Sequence, residues 1–214
     1  QFDLRPTVFS LPVVEGISKT AVEHNALIKI HLKIDTGMGR LGMVPESMLQ
    51  GNTPDSIDDI VRMSKLPGIE IEGIYTHFAT ADSRDKEYAN IQFQGFLEFL
   101  LHLDQKGIAI PVRHAANSAA IMDMPETHLD MVRAGISIYG LYPSGEVDKG
   151  RISLQPAMEL KARIIHLKNV PAGFKISYGS THETLKDTVI ATVPVGYGDG
   201  YNRLLSSRGH VLVR

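Results

Sequence analysis

Ile28-Lys29-Ile30-His31-Leu32-Lys33-Ile34 alternates apolar and polar side chains and runs straight into Asp35-Thr36-Gly37-Met38-Gly39-Arg40-Leu41-Gly42. Period-two alternation marks a strand with one buried face, and the glycine-rich stretch behind it is a loop. The elements on the far side of that loop decide the fold. Thr53 and Pro54 form an N-cap and first-turn pair for a helix whose inner face is Ile57, Ile60 and Val61. The Pro67-Gly68 turn leads into a second strand, Ile69 to Thr76. A longer helix places Tyr88, Ile91, Phe96, Phe99, Leu100 and Leu103 on one face and stops at Gly107. Ile108 to His114 reads as a third strand, Ser118 to Met124 as a short helix, and Met131 to Tyr139 as a fourth strand. Strands that alternate with helices are βαβ units in a parallel sheet, either a (β/α) barrel or an open doubly wound sheet.

After Pro143-Ser144-Gly145 the texture changes. Met158 to Val170 and Thr188 to Val195 alternate with period two, and no long stretch repeats at the helical period. The reading is two domains, an α/β domain over 1–145 and a β domain over 146–214, joined by a polar linker near 143–153. Gln1 opens the chain and Arg214 closes an alternating run, so the sequence reads as a section of something longer.

Composition narrows the function. Lys and Arg total 22 against 24 Asp and Glu, a formal charge of −2, which argues against nucleic acid or an anionic membrane as partner. With no Cys there is no disulfide framework and no thiol nucleophile, which fits a reducing, cytoplasmic setting. No apolar run approaches the ~18–20 residues of a membrane span. The nine His show no metal-ligand spacing, so no metal is expected.

Four groups of residues carry candidate chemistry. Gly37-Met38-Gly39-Arg40-Leu41-Gly42 matches the G-x-G-x-x-G dinucleotide fingerprint, but that fingerprint needs a helix to start within the glycines, whereas Pro45 follows three residues after the last of them and the next helix signal waits until Thr53. A βα loop that aims Arg40 at an anion suits it better. Polar groups fall at successive strand ends: Lys33 and Arg40, His77, then His114, Asn117 and Ser118, with Arg133 in the fourth strand. In parallel α/β folds that end of the sheet holds the site. Ser118 is a natural N-cap, and with the Gly135-Ile136 loop it makes a candidate phosphate site. In the β domain, Tyr178 and Tyr197 are flanked by glycine and can present a phenol to a cleft, although packing tyrosines in hairpin turns explain them as well.

Taken together, six ordered segments resemble the bacterial alanine racemases: Leu32 to Gly42, Gly73 to Asp82, His114 to Ala120, Met131 to Leu141, Ser177 to Gly179 and Gly196 to Tyr201. The resemblance implies the C-terminal part of a (β/α)8 TIM-like barrel followed by a mainly β domain. It implies the cofactor pyridoxal 5'-phosphate, alanine as substrate, and a homodimer in which Tyr178 works in the partner's barrel as one of two proton carriers. Arg133 then faces the cofactor's ring nitrogen with His114 behind it, and His77 lies beside the ring. Asn117, Ser118, Gly135 and Ile136 match the phosphate-binding positions. Arg40 matches an arginine that contacts cofactor and substrate, Lys33 a lysine that is often carbamylated, and Tyr197 a tyrosine at the substrate entrance.

The sequence departs from the family pattern in three ways. No lysine stands in the K-A-N-x-Y-G-H-G context that supplies the other proton carrier, the C-terminal Cys-Met-Asp segment is absent, and His182 replaces an aromatic residue after S-Y-G-x-T. The implied function is racemisation of L-alanine to D-alanine for peptidoglycan precursors. The competing readings are a non-enzymatic barrel that carries the same cofactor, a nucleotide-dependent oxidoreductase resting on the glycine loop, and a decarboxylase of the same general fold.

Overall fold

The computed structural model describes residues 3–48 and 56–213. The chain divides into two compact units, Gln1–Ala157 and Met158–Arg214. In the first, four parallel strands stand in the order β1 (Thr7–Val8), β2 (Ile28–Lys33), β3 (Ile69–Tyr75) and β4 (Val112–His114). Spatial order equals chain order, so the sheet has no reversal of the kind that defines a doubly wound fold; it is an arc of barrel.

Each connection carries a helix whose apolar face covers the sheet. α1 (Leu11–Glu23) has Pro12 in its first turn and turns Leu11, Val14 and Ala21 inward at helical spacing. α2 (Ser56–Met63) buries Ile57, Ile60 and Met63, whereas Val61 lies at the core's margin. The Thr53-Pro54 cap lies outside the described residues. α3 (Glu87–Gln105) buries Phe93, Phe96, Phe99, Leu100 and Leu103. Against these pack Ile30, Leu32, Ile34 and Ile74 of the sheet, all fully enclosed. α4 (Ser118–Asp123) comes after β4.

The structure corrects four of the expectations. The helix face drawn through Tyr88 and Ile91 is rotated: both are exposed, and Ala89, Gln92 and Phe93 take the inner positions. The third strand is confined to Val112–His114. Met131 to Tyr139 is not a strand; Ile136–Tyr139 is a short 3-10 turn, and the backbone ahead of it meets the β4 region at two isolated bonds, Asp130 N–H to Arg113 O (3.0 Å) and Arg133 N–H to Ala116 O (3.0 Å), which make no ladder. Finally, the first unit extends to 157 because Val147 is buried in its core and Ile152 and Leu154 pack on it.

The second unit is built from β5 (His166–Val170) paired antiparallel with β8 (Thr188–Thr192), and from the hairpin β6 (Lys175–Ile176) with β7 (His182–Glu183). Thr184 anchors it, its hydroxyl donating to Pro171 O at 2.7 Å and accepting from Phe174 N–H at 2.9 Å. Among the described residues no helix is long and apolar enough to cross a membrane.

Candidate functional site

The glycine loop after β2 is organised around a protein carboxylate. Asp35 Oδ1 accepts from the backbone N–H groups of Gly37, Met38 and Gly39 at 3.0, 2.8 and 3.0 Å, and Oδ2 from that of Arg40 at 3.0 Å. Burial alone would raise the Asp35 pKa; the four amides outweigh it and hold the group below its usual value. Gly42 closes the loop at φ +142, and a Cβ there would meet Asp35 N at 2.5 Å. These amides are already engaged, so they do not form a pyrophosphate cradle, and no α-helix starts within the glycines. The loop instead fixes the backbone of exposed Arg40.

The ends of β2 and β3 are tied by the buried hydroxyls of Thr36 and Thr76, 2.6 Å apart. From α3, Tyr88 donates to Gly37 O at 2.9 Å, while Gln92 donates to His77 O at 3.1 Å and accepts from Ala79 N–H at 2.9 Å. One helix therefore holds the backbone on both sides of the site.

Arg133 is the hub. Its Nη1 donates to His114 Nδ1 at 2.8 Å; Nη2 reaches Thr76 O at 2.8 Å, Ala115 O at 3.1 Å and His77 Nδ1 at 3.1 Å. The guanidinium also stands 4.7 Å from the centre of the Tyr75 ring, which stacks on His114 at 4.8 Å. A guanidinium only donates, so His77 and His114 each accept at Nδ1 and, when neutral, carry their proton on Nε2. Both rings are kept neutral. Burial and the Arg133 charge lower His77 to about 4, with Arg40 and Lys33 adding to the effect. Burial, Arg133 and His31 lower His114 to about 3. Lys33 is buried beneath this group; desolvation first, then Arg40 and Arg133, lower its pKa. A lysine that loses its proton more readily is a better nucleophile toward carbon dioxide, the chemistry a carbamate requires.

Where α4 begins, the N-cap is Asn117 and not Ser118: Asn117 Oδ1 accepts from Ala119 N–H (3.2 Å) and Ala120 N–H (3.1 Å). This frees the Ser118 hydroxyl for the next loop. Its Oγ accepts from Gly135 N–H at 2.8 Å and Ser137 N–H at 3.3 Å, and lies 3.1 Å from Ser137 Oγ. Gly135 has only Ser118 Oγ, at 3.6 Å, near where a Cβ would stand. Ile136 is exposed at the start of the 3-10 turn.

The first unit thus assembles Lys33, His77, His114 and Arg133, with Arg40 within electrostatic reach, and separately joins Ser118 to the Gly135 loop. Sequence reasoning missed Asp35, Tyr75, Gln92 and the Thr36–Thr76 pair. For two of them a signal existed: Asp35 stands two residues before the first glycine of the loop, and polar Gln92 falls at an inner helical position. Tyr178 and Tyr197 belong to the second unit. Tyr178 is 91 % exposed, in a turn where Ser177 and Ser180 adopt φ +64 and +51; Tyr197 is exposed, with Arg203 5.5 Å from its ring centre. Among the described residues no group of His, Asp and Glu could hold a metal. A cavity of about 540 Å³ lies away from the site, against α1 and β2, lined by Pro6, Val13, Ile17, Ala21 and Ile28.

A consecutive parallel arc, basic groups gathered where its strands end, and a β unit after them define an α/β-barrel protein with a basic cluster at its strand ends. The chain belongs to the alanine racemase family: residues 1–143 match the family model for the alanine racemase N-terminal domain and 157–214 that for the C-terminal domain. It is 52 % identical over 215 residues to the alanine racemase of Desulfosudis oleivorans, covering 99 % of this chain and 55 % of that one. Among solved structures, the alanine racemase of Clostridium difficile 630 superimposes with TM-score 0.80 at 45 % identity, over 92 % of this chain and 50 % of that one. The one from D-cycloserine-producing Streptomyces lavendulae gives TM-score 0.83 at 32 % identity, over 99 % and 54 %. The chain spans about half the length of the relatives it matches.

Proposed function

We propose that this chain is the site-bearing part of a pyridoxal 5'-phosphate-dependent racemase that interconverts L- and D-alanine. The observation that carries the reading is Arg133, clamped between two histidines that stay neutral beside Lys33 and Arg40. The Asp35 carboxylate is taken up by four amides, so this concentration of positive charge fits a ligand bearing phosphate and carboxylate. A guanidinium opposite an aromatic nitrogen can only donate, which fits a pyridine ring that stays unprotonated.

When bound, pyridoxal phosphate supplies the electron sink that acidifies the α-hydrogen of an amino acid. Arg133 keeps that sink weak, which favours return of the proton to the α-carbon over transamination or decarboxylation. Asn117, Ser118, Gly135 and Ile136 hold the phosphate end, His77 and His114 orient Arg133, and Arg40, set by the Asp35 loop and by Lys33, meets the carboxylate side. Tyr178 Oη carries the proton on one face of the α-carbon and Tyr197 lines the substrate's approach. Both act across a homodimer, in the cytoplasm, for peptidoglycan precursors. The family's lysine, for which these 214 residues hold no counterpart, serves the opposite face.

The test grafts these residues into the corresponding positions of a full-length relative and measures D-alanine formed from L-alanine. Racemisation with bound pyridoxal phosphate is expected. A protein that binds pyridoxal phosphate and forms no D-alanine overturns the racemase reading, and one that binds NAD in its place overturns the cofactor as well.

A further inference from the structure

The hydrogen bonds of Arg133 do not end at His114. His114 Nε2 lies 2.9 Å from His31 Nδ1, and His31 Nε2 lies 3.4 Å from Glu72 Oε2, a long contact at the margin of hydrogen bonding. Glu72 also accepts from Arg5 Nε and Lys29 Nζ, each at 2.9 Å. Charge and donor count allow one proton arrangement along this chain. Arg133 has only donors, so His114 Nδ1 accepts and its proton sits on Nε2. That proton makes His31 Nδ1 an acceptor, so His31 carries its own proton on Nε2, facing a carboxylate that can only accept. Every N–H in the series points from Arg133 toward Glu72. A proton added at His31 Nδ1 would set two N–H groups against each other.

The sheet makes room for this arrangement. His31 and Gly73 face each other across β2 and β3, directly after a register shift between Ile30 and His31. A Cβ on Gly73 would stand 2.5 Å from His31 Cε1 and 2.6 Å from Nδ1, so a side chain there would displace the imidazole. His31 in turn packs tilted against His114, ring centres 5.1 Å apart. Glu72 keeps its charge because Lys29 and Arg5, against a small burial penalty, hold its pKa at about 2.

We propose that His31 and Glu72 are positioning residues: they lock His114 in one tautomer and thereby hold the Arg133 guanidinium in place at the strand ends. The inference rests on the racemase reading for what Arg133 serves, but its geometry does not.

The test is long-range 1H–15N correlation spectroscopy at neutral pH on protein labelled with 15N-histidine, which reads the tautomer of each ring. His31 and His114 are each expected as a single neutral Nε2–H form. In Glu72→Leu both should lose that single form, His114 included although it does not touch Glu72. Glu72→Gln, whose amide oxygen still accepts, should restore both, and His166 in the second unit should be unchanged throughout. Affinity for pyridoxal phosphate is expected to fall about three- to tenfold in Glu72→Leu and to return in Glu72→Gln. The wild-type spectrum is decisive by itself: a protonated or Nδ1–H form of either ring overturns the proposal, whether or not a variant folds. A folded Glu72→Leu protein with unmoved His114 resonances also overturns it. Failure of the wild type to bind pyridoxal phosphate overturns the racemase reading and leaves the spectra to decide the positioning role.

Discussion

His114 shows how one residue links the site to stability. It is buried at 2 % exposure, its Nδ1 lone pair is committed to Arg133, and its pKa lies near 3 against an ordinary 6.5. Between those values the unfolded chain binds a proton that the folded one refuses. Unfolding therefore takes up protons, and stability falls as pH drops below about 6.5. For a buried histidine the slope approaches ~1.4 kcal/mol per pH unit. His77, lowered to about 4 and less deeply buried than His114, adds a smaller part over the same window. Glu72 has a separate window, since its stabilisation is lost only as pH falls below 4.5 toward about 2. Urea unfolding at pH 7.5 and 5.5 should show the loss, and His114→Gln should flatten it; an unchanged slope in that variant would place the effect elsewhere. Lys33, His77 and His114 were legible in the sequence as polar groups where strands end, whereas Arg133 was expected in a fourth strand that does not form and reaches the same group from a loop. Asp35 and Tyr75 were not legible, because their parts depend on which way a loop amide or a ring face turns, and spacing does not encode that.

At the scale of elements, periodicity located β2, β3 and α3 but not their partners. α3 reads as a helix from its apolar repeat, yet the sequence does not say that Tyr88 turns out to bond Gly37 while Gln92 turns in. The stretch 131–139 has the composition of a strand. Its donors go elsewhere, Arg133 N–H to Ala116 and Gly135 N–H to the Ser118 hydroxyl, so no ladder forms. Helix α1 and strand β1 escaped detection because β1 is two residues long and α1 carries Pro12 and Gly16. The internal role of α3 gives a prediction. Gln92 is fully buried and satisfies His77 O and Ala79 N–H, so Gln92→Leu leaves both part-buried backbone groups without their side-chain partner. The expected cost is about 1–3 kcal/mol. Urea denaturation measures it, and a change under ~0.5 kcal/mol would mean that water replaces the amide. The same variant should weaken pyridoxal phosphate binding, because His77 sits on the backbone that Gln92 holds.

For the whole molecule, the two units divide the proposed work. The first gathers the basic residues, the neutral histidines and the serine-bridged loop, each fixed by bonds within that unit. The second offers Tyr178 on a turn whose neighbours Ser177 and Ser180 occupy left-handed backbone that L residues seldom adopt. Such a turn costs conformational energy, and the energy is accepted where the position of one side chain matters more than local comfort. An exposed phenol contributes little to its own unit's core, so its removal should leave folding and cofactor binding as they are. Tyr178→Phe in the grafted relative should therefore keep pyridoxal phosphate affinity and melting temperature within error. Racemisation should fall by about 10²–10⁴, the usual loss for a general acid–base group. The two faces of the α-carbon give the test direction: with the lysine intact, exchange of the α-hydrogen with solvent deuterium should survive from one enantiomer and be lost from the other. Racemisation within about threefold of the parent would remove Tyr178 from proton transfer and leave the first unit's site as a cofactor cradle served by some other base.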